Sequence, residues 1–153
     1  MASKKITLAN EIAQHLINDV SIPSITSSNT VVCIGGVLNL ELLNKNGLTL
    51  AVSPVSREPF ATLDRCALTH EYMVALALYK KLTTQDTIQY VNAASESEID
   101  VIDELAEDIE DILYDTHFTN YTFKELDSDI QLDPEAFDHG FFKHGLLLRY
   151  VGG

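Results

Sequence analysis

Residues 96–115 read ESEIDVIDELAEDIEDILYD, ten acids with no Lys or Arg among them, and no other stretch constrains the chain as tightly. At about 100° per residue, Val101, Ile102, Leu105, Ala106, Ile109, Ile112 and Leu113 fall within one half of a helical wheel. Asp100, Asp103, Glu104, Glu107, Asp108, Glu110 and Asp111 fall in the other. This predicts a long acidic amphipathic helix over residues 97–115. Six like-charged pairs lie four apart along it, and at about 0.2–0.5 kcal/mol each they cost on the order of 1–3 kcal/mol. Burying the apolar half returns more, roughly 1.5–3 kcal/mol for each large side chain before entropy is charged. Such a helix forms only against a core. Its acidic half reads first as a solubility face, and more sharply as a surface that repels DNA or meets a basic partner.

The rest of the chain is close to neutral, because these ten acids account for most of the net charge of −13. A chain this acidic is not expected to wrap a phosphate backbone, which requires clustered Lys and Arg. With no Trp and only 8% aromatics it also offers no stacking platform for bases, so no sequence-specific nucleic-acid binding is expected. No apolar run approaches the roughly 20 residues of a membrane helix, and Lys4-Lys5 lacks the apolar segment of a secretory signal.

The length of 153 residues fits a single domain, 1–153, with a core of its own. A first helix is predicted over residues 7–19, where Leu8, Ile12, Leu16 and Val20 recur every four residues and Thr7 stands as the cap. An irregular loop follows over about 21–30, then a short β-like run at 31–34. Leu48, Leu50 and Val52 alternate with polar and small residues in a strand expected to end at Pro54. A longer strand, 66–81, places Tyr72, Val74, Leu76 and Leu78 on one face and Met73, Ala75, Ala77 and Tyr79 on the other. Apolar on both sides, it needs two covers: helices on one, and a neighbouring subunit on the other. Residues 121–140 read as Tyr121-Thr122-Phe123 and an acidic loop. A last strand is expected at 146–151, with 152–153 a flexible end. The fold class is therefore α+β: an antiparallel sheet of about four strands against an N-terminal helix and the acidic helix.

No catalytic pattern is complete. His70-Glu71 lacks the second histidine of a zinc-protease helix, since residue 74 is Val, and Gly35-Gly36 has no Gly-Lys-Ser/Thr behind it. Cys33 and Cys66 read as free buried thiols. Asp127, Asp129, Gln131, Asp133, Glu135 and Asp138 carry EF-hand spacing, but Leu132 stands where the loop needs glycine and Pro134 lacks an amide donor. His139 and His144 read as ordinary surface or partly buried residues. No catalytic, cofactor-binding or metal-binding residue is assigned, and the chain is expected not to be an enzyme.

Four features in order resemble one family. They are Leu48 to Pro54; Leu63-Asp64-Arg65 followed by the strand from Glu71 to the basic pair Lys80-Lys81; the acidic helix; and Asp133-Pro134-Glu135-Ala136-Phe137 followed by Phe141 to Tyr150. This order is similar to that of the tail-terminator and tail-completion proteins of long-tailed bacteriophages, which act at the neck of the virion. The resemblance implies a virion protein, assembled in the host cytoplasm, that forms a hexameric ring and joins the tail tube protein to the head-side connector while DNA passes. It implies a subunit interface at Tyr72, Val74, Leu76, Leu78 and Tyr79, and gives the acids of the helix the role of a lumen wall or partner surface. A rival reading is an acidic binding protein, such as a DNA-mimicking inhibitor of a basic host protein.

Overall fold

The structure is a computed structural model that describes residues 3–34, 47–60, 69–81, 96–129 and 141–152. The elements run α1 (Lys4–Ile17), β1 (Thr30–Val32), β2 (Leu48–Phe60), β3 (Thr69–Lys81), α2 (Glu96–Tyr114), β4 (Tyr121–Asp129) and β5 (Phe141–Gly152). They form an α+β fold on a five-stranded sheet in the order β1-β2-β3-β5-β4. The sheet is mixed, where an antiparallel one of about four strands was expected. β1 pairs parallel to β2, and the other pairs are antiparallel.

Helix α1 begins earlier than the apolar repeat suggests. Ser3, not Thr7, is its cap and accepts a hydrogen bond from the Ile6 amide, while the Thr7 hydroxyl donates back to the Ser3 carbonyl. Leu8, Ala9, Ile12, Ala13 and Leu16 form its buried stripe, and Val20 lies beyond its end, exposed. The segment after it is anchored. Ile22 and Ile25 are buried, and Asn29 bridges the turn, accepting from the Thr26 amide at 2.9 Å and donating to the Ser24 carbonyl at 2.7 Å. The Asn29 carbonyl then accepts from the Leu50 amide, which ties the loop to β2.

Pro54 does not end β2, and the backbone geometry explains why. Leu50 donates its amide to Asn29, and Val52 accepts from the Cys33 amide, so these residues aim their backbone groups at β1. Backbone groups alternate sides along a strand, so the missing N–H of Pro54 falls on the β1 side, away from β3. There β1 has already ended at Val32, and the proline costs the β2–β3 ladder nothing. A bulge between Pro54 and Ser56 follows, and pairing continues to Phe60 with Thr69. Such a bulge changes which side each later residue faces. The residues expected to form an acidic loop after Phe123 instead continue as β4 to Asp129, also bulged, between Phe123 and Glu125. β5 begins at Phe141, earlier than the expected start at residue 146.

Both helices cover one face of the sheet. Leu50 and Val52 from β2, Tyr72, Val74, Leu76 and Leu78 from β3, and Leu146, Leu148 and Tyr150 from β5 join the apolar stripes of α1 and α2 in one continuous core. α1 rests over β1 and β2, and α2 over β3 and β5. Ile102, Leu105, Ala106, Ile109 and Leu113 supply the buried stripe of α2, whereas Val101, expected on that stripe, is 60% exposed. The C-terminal ends of the helices meet where Thr116 Oγ1 lies 2.9 Å from His15 Nε2.

Where α2 runs down toward β4 and β5, Phe118 and Phe123 pack edge-on against Tyr150, with centroids 5.8 and 5.6 Å apart. The Tyr150 hydroxyl is fully buried there and has no hydrogen-bond partner among the described residues. Burial raises its pKa well above the ordinary value of 10.0. The unfolded chain therefore loses this proton at lower pH than the folded one, and stability from this group is present below about pH 10 and is lost as pH rises beyond it. Tyr150→Phe removes both the orphaned hydroxyl and the titration. It is expected to be neutral or stabilising by about 1 kcal/mol at pH 7, and to flatten the fall in stability above pH 10 in denaturant titrations. A variant clearly less stable than the parent contradicts this.

Gly152, expected to be a flexible end, lies in β5 opposite both His70 and Tyr121. A Cβ added here meets the Asn120 carbonyl oxygen at 2.5 Å and the Tyr121 ring at 3.0 Å. The first of these is backbone and cannot swing away. Gly152→Ala is expected to cost about 1–3 kcal/mol, measured as a lower urea midpoint; an unchanged midpoint refutes the close approach.

Candidate functional site

The strand period divides the expected interface residues between two environments. Tyr72, Val74, Leu76 and Leu78 are sealed beneath the helices and present no area to another subunit, so this part of the expected interface is corrected. Tyr79 lies on the opposite face with Met73, Ala75 and Ala77, all half-buried. On this second face Ala51 is opposite Ala77, Ser53 opposite Ala75 and Gly145 opposite Ala77, while the larger Leu147 is opposite Ala75 on the β5 side.

The open face deepens into a cleft of about 510 Å³. Ala51, Ser53, Ala75 and Ala77 line it, with Tyr79 and Lys143 on the β5 side and Lys5, Ile34 and Val55 toward the β1 side. The Lys143 ammonium stands 5.7 Å from the centre of the Tyr79 ring, a cation–π arrangement. Cys33 also borders the cleft; it is a free thiol, and burial pushes its pKa up despite a hydrogen bond with Ser53. A thiol held protonated is a poor nucleophile. Cys66 lies outside the described residues.

On the other side of the molecule, α2 turns its acids outward. Asp100, Glu104, Glu107, Asp108 and Asp111 are exposed, and Asp103 and Glu110 are partly covered. Asp103 has a specific engagement: its Oδ1 is 2.8 Å from Nδ1 of His144, which is buried on β5. This bond fastens the acidic helix to the sheet. Once β5 is extended back to residue 141, His144 falls on the same face as Leu146, Leu148 and Tyr150; a strand started at 146 hides that.

A third polar cluster sits at the far end of β2 and β3. Arg57 Nε donates to the Tyr72 hydroxyl at 2.9 Å, and Nη2 lies 3.2 Å from His70 Nδ1. A guanidinium only donates, so Nδ1 of His70 accepts and the imidazole is neutral. Burial, then Arg57, then Lys4 hold its pKa below the ordinary value. The Tyr121 hydroxyl closes the group, donating to the Lys4 carbonyl while its ring packs edge-on against Tyr72 at 5.1 Å. Every buried polar atom named here is engaged, and the cluster joins α1 to β2, β3 and β4.

Among the described residues, no three His, Cys, Asp or Glu side chains come together as metal ligands do. Asp127 and Asp129 of the EF-hand spacing are strand residues paired with β5, whereas Asp133, Glu135, Asp138 and His139 lie outside the described residues. No helix among the described residues is long and apolar enough to cross a membrane. Comparison with models of known protein families gives no match, and comparison with curated protein sequences gives none.

Proposed function

We propose that this chain is a non-enzymatic virion protein of a long-tailed bacteriophage. In this reading it is a tail terminator or head–tail connector, ring-forming and hexameric, that joins the tail tube protein to the head-side connector and lets DNA pass. One observation carries the reading beyond the order of sequence features. The sheet has one face closed by its own helices, and on its second face a small-residue patch of Ala51, Ser53, Ala75 and Ala77 lies beside the larger Met73 and Leu147, which suits a repeated subunit contact. Its edges are poor alternatives. β2 carries Pro54 and Pro59 beyond the reach of β1, and β4 is bulged, both of which discourage strand addition. Subunits of this shape meet by faces.

Purified protein mixed with isolated tail tubes is expected to cap them, and mass photometry is expected to find a species six times the 17.0 kDa subunit mass. A stable monomer that leaves tubes uncapped sinks the proposal. The DNA-mimic reading draws on Asp100, Glu104, Glu107, Asp108 and Asp111 of α2, which are exposed among the described side chains. It requires the monomer to bind a basic host protein in competition with duplex DNA. A net negative charge concentrated on one helix covers less of a duplex-like surface than a mimic whose charge is spread over several elements.

A further inference from the structure

We infer that the acidic face of α2 in one copy seats in the alanine-floored cleft of the next copy, with Lys5 and Lys143 meeting its carboxylates. This deepens the ring proposal and rests on it. The two surfaces match in three independent respects.

The first is apolar exposure. Five large apolar side chains are exposed among the described residues, and four of them stand at these two places: Ile34 (61%) and Val55 (48%) border the cleft, and Val101 (60%) and Tyr114 (71%) stand on α2. The second is charge. The cleft brings together two lysines from distant elements in a chain of net charge −13, and Glu104, Asp108 and Asp111 recur with Val101 on one stripe of α2 at helical spacing. The third is shape. From the end of β1 to β5 the cleft spans three inter-strand gaps of about 4.8 Å, roughly 14 Å, against a helix diameter of about 10–12 Å. Its small floor residues let a helix approach closely.

The two surfaces also lie on opposite sides of the subunit, since α2 covers one face of the sheet and the cleft floor belongs to the other. A contact between them is head-to-tail. It leaves a free cleft and a free helix on each pair and so propagates until rotation closes it into a ring.

The test is a charge exchange read by mass photometry at about 0.1 M salt, where screening leaves short-range pairs intact. Lys5→Glu with Lys143→Glu, and separately Glu104→Lys with Asp108→Lys, are each expected to raise the concentration for half-assembly by about tenfold or more. All four substitutions in one chain are expected to restore assembly, because both surfaces are then inverted together. Circular dichroism checks that each variant keeps its fold. Assembly of either double variant at the wild-type concentration overturns the inference, as does failure of the quadruple variant to recover. A wild-type ring indifferent to these changes removes this interface and leaves the ring proposal standing. Charge-dependent assembly of copies that never cap tail tubes does the reverse. A wild-type chain that stays monomeric removes both.

Discussion

Tyr72→Ala is expected to cost about 3–5 kcal/mol, enough to unfold a domain of ordinary stability. Tyr72 is fully buried near the far end of the central strand β3, and its loss opens a cavity in the core between the sheet and the helices. The substitution also removes the edge-on contact with Tyr121 and the hydroxyl that accepts from Arg57 Nε. Arg57 still reaches solvent, so no buried charge is stranded, and the cost is chiefly cavity and lost aromatic packing. Urea denaturation followed by circular dichroism measures it. The comparison that isolates the hydroxyl is Tyr72→Phe, expected at about 1 kcal/mol. A Phe variant as unstable as the Ala variant means that the polar bond, not the ring, holds this end of the sheet.

Ile109→Asp is expected to undock α2 altogether. Ile109 is fully buried in the middle of the helix, and the substitution forces a carboxylate into the helix–sheet seam while deleting an apolar anchor. Burial of an unpaired charge costs several kcal/mol. The residue also becomes one more acid on an element whose like-charged neighbours already oppose folding by about 1–3 kcal/mol. Released from the sheet, the helix has no reason to persist. Loss of far-UV helical signal together with exposure of the apolar sheet face to a hydrophobic dye is the expected observation. Ile109→Ala keeps the helix-forming tendency and is expected to lose only about 2–5 kcal/mol, with the helix retained in whatever fraction stays folded. If Ile109→Asp folds as stably as the parent, the seam is wetter than its burial indicates.

Much of this architecture is legible from periodicity. The repeat at Leu8, Ile12 and Leu16 and the two-faced wheel of α2 place both helices to within a few residues, because burial of one stripe is what makes each helix stable. The alternation in β3 likewise separates the sealed Tyr72 face from the open Ala75 face. Periodicity does not say which face the helices cover, and the interface reading therefore chose the wrong one for four of its five residues. Boundaries set by single residues also misled. Pro54 reads as a terminator unless one knows that its nitrogen points away from β3, and that depends on β1, a partner distant in sequence. β4 is polar enough at Lys124, Glu125, Asp127, Ser128 and Asp129 to pass for a loop; pairing with β5, not composition, makes it a strand. His144 was missed for the same reason, since its partner Asp103 is 41 positions away and no local pattern joins them.

The strand order has a consequence for how the protein is made. β5 is the latest of the described strands to leave the ribosome, yet it lies between β3 and β4 and is the strand that connects them. Until residues 141–152 are synthesised, β4 has no place to attach, His144 is not there to receive Asp103, and the β3 edge stands open. The nascent chain can pair β1, β2 and β3 and dock α1, but the second half of the core waits for its final piece. Folding is therefore completed late, by insertion of a central strand, and every open-edged chain that precedes it is a target for chaperones or for a neighbour's β3.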